Sequence, residues 1–422
     1  MPKPIRFFAV LALLLGPAVA KAQERPIVIR AGTVYDGAGK TYHNAIIVVQ
    51  GSKIVRIGGA VPAGALVYNL AGLTVTPGWI DTHAHIMFHF VNGKYGGRGE
   101  PAESTMLHAV DNAVVTLDAG FTTIQSPGSP EDKYLRDAIA RGILPGPRIL
   151  TSLAPLFDNS GPPDKLRQLV DERKAQGADF IKIFASKSIR EGGEQTMTDA
   201  QIQAVCDQAR KDGLRVIVHA HSAASAKAAT LAGCTSIEHG AYLTDDVFNL
   251  MAQRGTYYDP NIGLVLQNYL ENKDRYFGVG NYNAEGFAFM QKGIQITLDT
   301  FKKALRHKGL KIVYGTDATA GADGRNYEEF ITRVQDGGQN PMDALVSATS
   351  LSARSLNLQN EIGTLAPGMQ ADIAGFDGDP LKDATAARKC IFVMKGGEVF
   401  ENLPRGSKSG KRLTLAAKGL IE

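Results

Sequence analysis

From about residue 74 to residue 357 the chain alternates short apolar runs with longer stretches of helical character. That alternation limits the fold more than any other feature. The apolar runs are Gly78-Trp79-Ile80-Asp81, Thr122-Thr123-Ile124, Arg148-Ile149-Leu150, Phe180-Ile181-Lys182-Ile183-Phe184, Val216-Ile217-Val218, Thr235-Ser236-Ile237, Tyr257-Tyr258 and Lys311-Ile312-Val313-Tyr314. Helix-like segments lie between them at 101–119, 131–141, 164–176, 199–212, 223–232 and 245–254. A strand that feeds a helix before the next strand builds a parallel sheet, so the repeated unit predicts an α/β fold of the (β/α)₈ barrel type. The stretch from 261 to 307 is long for one loop-and-helix unit, and it predicts a helical excursion at the barrel mouth.

The flanks read differently. Ile27-Val28-Ile29-Arg30, Ala45-Ile46-Ile47-Val48-Val49 and Lys53-Ile54-Val55-Arg56-Ile57 are short β-branched runs separated by glycine turns. Similar runs return at Ala371–Phe376, Ile391–Met394 and Lys395–Phe400. Segments 23–73 and 358–403 are therefore expected to join as a small β-sandwich bracketing the barrel at 74–357.

Charge separates the ends from the body. The chain of 422 residues has a net charge of +4. Lys3, Arg6 and Lys21 fall in the first 22 residues, and Arg405, Lys408, Lys411, Arg412 and Lys418 fall in the last 19. The body between them is mildly acidic, without the dense basic stripe of a nucleic-acid binder. Lys3 and Arg6 precede the apolar run Phe7–Leu15, and small residues follow it to Ala20 and Ala22, which predicts a secretory signal peptide over 1–22. Export to the periplasm or the medium follows, with no stable membrane anchor after cleavage. Segment 404–422 reads as a basic, mobile tail. Cys206, Cys234 and Cys390 are too scattered for a disulfide framework or a cysteine metal site; export would permit a Cys206–Cys234 bridge, but nothing in the spacing argues for it, and buried free thiols are expected.

Polar residues with chemical potential gather where the strands end. His83 and His85 follow the first strand and, two apart, can turn both imidazoles to one metal. Lys182 sits inside an apolar strand, where a charged amine is costly. A neutral amine there can add CO₂, and the resulting carbamate has two oxygens, enough to bridge two cations. His219 and His221 end the fifth strand, His239 the sixth and Asp317 the eighth. Functional groups of such barrels collect at the C-terminal strand ends. Together these residues predict a metal site.

The motifs Val75-Thr76-Pro77-Gly78-Trp79-Ile80-Asp81-Thr82-His83-Ala84-His85, Phe180-Ile181-Lys182-Ile183, Val218-His219-Ala220-His221, Ile237-Glu238-His239-Gly240 and Gly315-Thr316-Asp317, with Ile362–Gly368 leading to Ala371-Asp372, resemble the amidohydrolase superfamily. The likeness lies in its imidazolonepropionase-like and metal-dependent Xaa-Pro dipeptidase branch, which includes ochratoxin-hydrolysing relatives. The resemblance implies two divalent cations, zinc by expectation. His83 and His85 would hold the more buried one, carboxylated Lys182 would bridge, and His219 and His239 would hold the second. Asp317 would contact the first metal and shuttle a proton between the bridging hydroxide and the leaving nitrogen. Tyr242 would hydrogen-bond the developing oxyanion, and His221 would line the pocket. Lys187, Arg190 and Arg325 are candidates to receive a substrate carboxylate.

The expected activity is hydrolysis of an amide to a C-terminal amino acid, as in Xaa-Pro dipeptides, N-acyl amino acids or ochratoxin-like amides, by a homo-oligomeric enzyme. Two alternatives stand beside it. One is a mononuclear cyclic-amide hydrolase or deaminase, which Lys182 argues against. The other is an exported solute-binding barrel without chemistry. The segment Gly321–Asn326 departs from the histidine-glycine pairing of many relatives, so substrate specificity does not transfer with the motifs.

Overall fold

The computed structural model describes residues 25–96 and 100–407. The expected signal peptide and residues 408–422 of the basic tail lie outside the described residues. The chain opens with β1 (Ile27–Tyr35), β2 (Thr41–Gln50), β3 (Lys53–Ile57) and β4 (Leu66–Pro77). Apolar side chains of this segment, among them Ile29, Ile47, Val49, Ile54 and Val75, pack into one core cluster.

From β4 the chain runs through Gly78 directly into β5 (Trp79–Asp81). A Cβ on Gly78 would lie 2.1 Å from the Thr122 side chain, so only glycine lets the two strands approach. A short hairpin, β6 (Phe90–Val91) and β7 (Lys94–Tyr95), and helix α1 (Ala102–Asp118) follow. Next come β8 (Phe121–Ser126), α2 (Asp132–Ala140), β9 (Arg148–Thr151), α3 (Pro163–Ala175), β10 (Phe180–Phe184), α4 (Asp199–Lys211), β11 (Arg215–Ser222), α5 (Ala223–Leu231), β12 (Ser236–Tyr242), α6 (Asp245–Arg254) and β13 (Tyr257–Asp259). The expected helical excursion is present as α7 (Leu264–Glu271), α8 (Lys273–Tyr276) and α9 (Ala284–Ala304), ahead of β14 (Lys311–Ile312) and α10 (Tyr327–Gln335).

β5, β8 and β9 form one parallel sheet and β10 through β14 another. Backbone bonds cross both gaps between these sheets. Asp179 N–H donates to the Thr151 carbonyl at 2.8 Å, and Thr82 N–H donates to the Tyr314 carbonyl at 2.8 Å. The strand period of two sorts the side chains. Ile181, Ile183, Val216, Val218 and Ile237 pack outward with Ile202, Val205 and Phe248 of the helices. Lys182, His219 and Glu238 take the opposite, inward face. Helix α4 starts at a reciprocal cap in which the Thr198 hydroxyl and the Gln201 side chain satisfy each other's backbone N–H.

The last strands, β15 (Ile373–Phe376), β16 (Cys390–Lys395) and β17 (Glu398–Asn402), return to the N-terminal segment. β15 pairs antiparallel with the end of β4, giving a sheet ordered β17-β16-β15-β4-β1-β2-β3. The two ends of the chain pair, and the described strands form one continuous sheet. β4 lies between β1 and β15 and pairs with them on opposite edges, Val75 with both Val34 and Gly375. Trp79 joins this sheet to the rest, with Phe121, Tyr314, Phe330 and Phe376 around its indole.

One expectation is corrected. Cys206 and Cys234 form a disulfide, with Cα atoms 5.4 Å apart. Cys206 lies on α4 and Cys234 in the turn after α5, and packing of these neighbouring helices brings together thiols that their spacing leaves unrelated. Cys390 alone is free, and buried. Among the described residues no helix is long and apolar enough to cross a membrane.

Candidate metal centre

The inward-facing strand ends build one site. Lys182 on β10 and His219 and His221 on β11 face inward by simple alternation. His239 does not. It pairs with Ala220, whose side chain points outward into the helix layer, so a regular strand would send His239 outward too. Its backbone instead adopts φ 69°, and this left-handed turn brings the imidazole round to the others. Asp317 makes the same departure at φ 53°. Left-handed conformations at non-glycine residues cost energy and concentrate where geometry serves a function.

His83 Nε2 and His85 Nε2 converge on one oxygen, Asp317 Oδ1, at 3.4 and 3.0 Å. The His239 ring centre lies 5.2 Å from that of His83 and 4.7 Å from that of His219. His221 stacks on His239 at 5.0 Å. Lys182 is buried among them, and its Nζ has no hydrogen-bond partner. Burial holds the His83, His219 and His239 imidazoles well below the usual histidine range, with neighbouring histidines and Lys182 adding to the effect. His221 is pushed down to about 3 by burial, then by Arg190 and Lys182. Burial also lowers the Lys182 amine, against the pull of Glu238, Asp317 and Asp259. For Asp317 burial works upward, but His83, His85 and Lys182 outweigh it and the carboxyl stays below its ordinary value.

A ring of buried acids holds these groups in place. His83 Nδ1–H donates to Glu238 Oε2 at 2.9 Å, which leaves Nε2 as the lone pair aimed into the site. Ser236 donates its hydroxyl to the other Glu238 oxygen. Asp81 accepts from the His83 N–H at 3.0 Å and from the Thr316 hydroxyl at 2.6 Å, tying β5 to the loop that carries Asp317. Asp259 accepts from Thr82 at 2.5 Å, and a Cβ on Gly315 would lie 2.1 Å from that carboxylate. Burial raises both Glu238 and Asp259; Lys182, Ser236 and Asp259 hold Glu238 back, whereas Glu238 pushes Asp259 further up against Arg333. Sequence reasoning gave Glu238 no role. The available signal was its place one residue before His239, in register with inward-facing His219.

These groups open into a cavity of about 520 Å³. His221 and Arg190 line it, as expected. Arg190 donates to Asn281 Oδ1 at 2.7 Å and lies 4.2 Å from the Tyr282 ring centre, part of a wall that α7 and α9 complete. Lys187 is at the rim, and its exposed ammonium pairs with Glu194 at 2.8 Å. Arg325 is absent from the cavity wall, because Glu271 on α7 takes its guanidinium at 2.8 Å. Tyr242 is absent from it too. Its ring packs beside Gly193, and the tyrosines that line the cavity are Tyr95, Tyr269 and Tyr282.

The donor set suits divalent metal. Neutral imidazoles and a carboxylate are the ligands zinc-class cations take. Lys182 Nζ, buried among these donors, is one of the buried polar atoms without a hydrogen-bond partner. Buried polar atoms are ordinarily hydrogen-bonded, so an orphaned amine here marks a place built for something else.

The chain is similar to several known proteins over most of its length. A solved Xaa-Pro dipeptidase with methionine bound in its active site superposes with a TM-score of 0.81 at 29% identity, covering 89% of this chain and all of that one. Ochratoxinase of Aspergillus niger is 23% identical over 91% of both chains. Imidazolonepropionase of Rhodococcus jostii (strain RHA1) is 23% identical over 90% of this chain and 94% of its own length. Residues 74–400 match the Amidohydrolase family, and the chain belongs to it.

Proposed function

We propose that this protein is an exported hydrolase that cleaves an amide bond to a C-terminal amino acid, working with two divalent metal ions inside a closed (β/α)₈ barrel. The observation that carries the proposal is the convergence of His83, His85 and Asp317 on one point, beside partnerless Lys182 and the His219–His239 pair. His83, His85 and Asp317 would hold one cation, His219 and His239 the other, and Lys182, carboxylated by CO₂, would bridge them. Such a pair, zinc by preference, would polarise the scissile carbonyl and acidify a water molecule.

The chain's own residues supply the rest. Asp317 accepts a proton at its carboxylate and delivers it to the departing nitrogen, a role supported by its ionised state and its place at the cavity floor. Arg190, fixed by Asn281 and faced by Tyr269 and Tyr282, is placed to receive the substrate carboxylate. Phe88 stacks on His85 and Phe157 on Phe184, so apolar rings flank the reacting groups. Relatedness to a Xaa-Pro dipeptidase and to ochratoxinase supports the substrate class. Export is supported by the Cys206–Cys234 bridge, because disulfides persist in oxidising compartments.

The test is metal content and turnover together. Zinc-loaded protein should bind about two ions at this centre and hydrolyse N-acyl amino acids or Xaa-Pro dipeptides in preference to lactams. Lys182→Ala should lower kcat by more than about 100-fold. Retention of activity by Lys182→Ala, with a single ion at the centre, would point instead to a one-metal hydrolase.

A further inference from the structure

Outside this centre, a second group of metal-binding side chains sits on the segment that leads from β5 to α1. His89 follows the first metal-ligating strand, Glu100 precedes α1, and His108 projects from its second turn. One ligand atom from each lies within 4.8 Å of the other two. His89 Nε2 is 2.7 Å from Glu100 Oε2, and His108 Nε2 is 3.9 Å from Glu100 Oε1. The two imidazoles stack, with ring centres 4.3 Å apart.

The hydrogen bonding of His89 is the informative detail. Its Nδ1–H donates to the Met87 carbonyl at 2.8 Å. A neutral ring so oriented turns a bare Nε2 lone pair toward a carboxylate oxygen, and two lone pairs at that distance repel. A cation must therefore lie between them, either a second proton on the ring or a metal ion. An imidazole whose far nitrogen is anchored on a backbone carbonyl is the usual arrangement of a metal ligand. Ser104 anchors the Glu100 carboxylate in the same way from the other side. His89 is buried and Glu100 half-buried, while the His108 side chain is 45% exposed, which leaves room for water to complete a coordination shell.

We propose that His89, Glu100 and His108 form a second divalent-metal site, separate from the catalytic centre, that takes a zinc-class ion on two imidazoles and one carboxylate. A small rotation of the exposed His108 ring brings its nitrogen to the ion. The site ties the loop after β5 to α1. Phe88, next to His89 in that loop, stacks on His85 at 4.8 Å and packs against Tyr95, so the bound ion would steady part of the cavity wall.

The experiment compares metal-stripped full-length protein with its His108→Phe variant, which keeps a ring in the stack on an exposed helix face. Both are titrated with zinc alone, and bound metal is counted after equilibrium dialysis. The wild type should bind about one more zinc per chain than the variant, whatever number the catalytic centre holds, and zinc should raise its Tm further. A Glu100→Gln variant should show the same loss. Because the difference is read between variants that leave the catalytic ligands intact, failure of the two-metal proposal would not produce it. Equal zinc binding by all three proteins would overturn the site and assign the cluster as a protonated histidine–glutamate ion pair. Equal binding with cobalt, checked by its visible spectrum, would do the same.

Discussion

His83 is held from both sides. Its Nδ1–H donates to Glu238 Oε2 at 2.9 Å, and its Nε2 lies 3.4 Å from Asp317 Oδ1. Glu238 comes from β12, 155 residues away in the chain. One carboxylate thus fixes both the tautomer and the ring plane of a group at the centre of the site.

Glu238 is accordingly a positioning residue. Replacing Glu238 by Gln keeps an acceptor oxygen but removes the charge, and should weaken metal retention by about 10-fold; Glu238→Ala should approach 100-fold. Competition with a chelator, followed as metal lost per chain, measures this. The Gln variant should recover kcat when metal is supplied in excess, which a purely structural defect would not do.

Arg190 tests the substrate class. Replacing it by Met should raise KM for carboxylate-bearing amides by about 10- to 100-fold, the worth of a charge-assisted hydrogen bond. kcat/KM for the matching primary-amide analogue, which lacks the carboxylate, should change little. Equal losses on both would show that Arg190 only supports the α7–α9 wall.

Asp132 gives a pH signature in the stability of the fold. Burial raises its carboxyl from 3.8 to about 6, against hydrogen bonds from Thr151 and the Ser129 N–H and the charge of the nearby His85. The folded protein therefore keeps this proton to a higher pH than the unfolded chain does. Its stabilising contribution is complete below about pH 4 and is lost as pH rises through 6. Asp132→Asn mimics the protonated form at every pH. The stability of the variant minus that of the wild type, from urea unfolding, should grow between pH 4 and pH 7 by about 1–3 kcal/mol. A flat difference would show that the carboxyl titrates normally.

The Cys206–Cys234 bridge closes a loop of 28 residues. Chain-entropy arguments give such a loop about 3–4 kcal/mol of stabilisation. The Cys206→Ser, Cys234→Ser double variant should lose stability of that order in urea. Reductant should destabilise the wild type but not the variant, because Cys390 is unpaired.

Much of the site could be read in the chain because β-structure has a fixed period. Alternation puts Lys182, His219 and His221 on one face, and the clustering of chemistry at strand ends points to His83, His85, His239 and Asp317. The same alternation predicts the wrong face for His239, and only its left-handed backbone corrects this. Glu238 was visible as a residue but not as an anchor, since its partner is on another strand far along the chain. Arg190 and Arg325 looked alike in sequence. Asn281 holds one in the cavity wall and Glu271 draws the other away from it.

The amino-acid sequence by itself determined the repeating strand–helix order, the inward face of Lys182, His219 and His221, and the family, because these follow from local periodicity and from short motifs. Only the tertiary structure decided which cysteines join, that the two ends share a single sheet, and that His89, Glu100 and His108 meet. Those outcomes depend on how helices and loops pack across long separations, where spacing along the chain says little about distance in space.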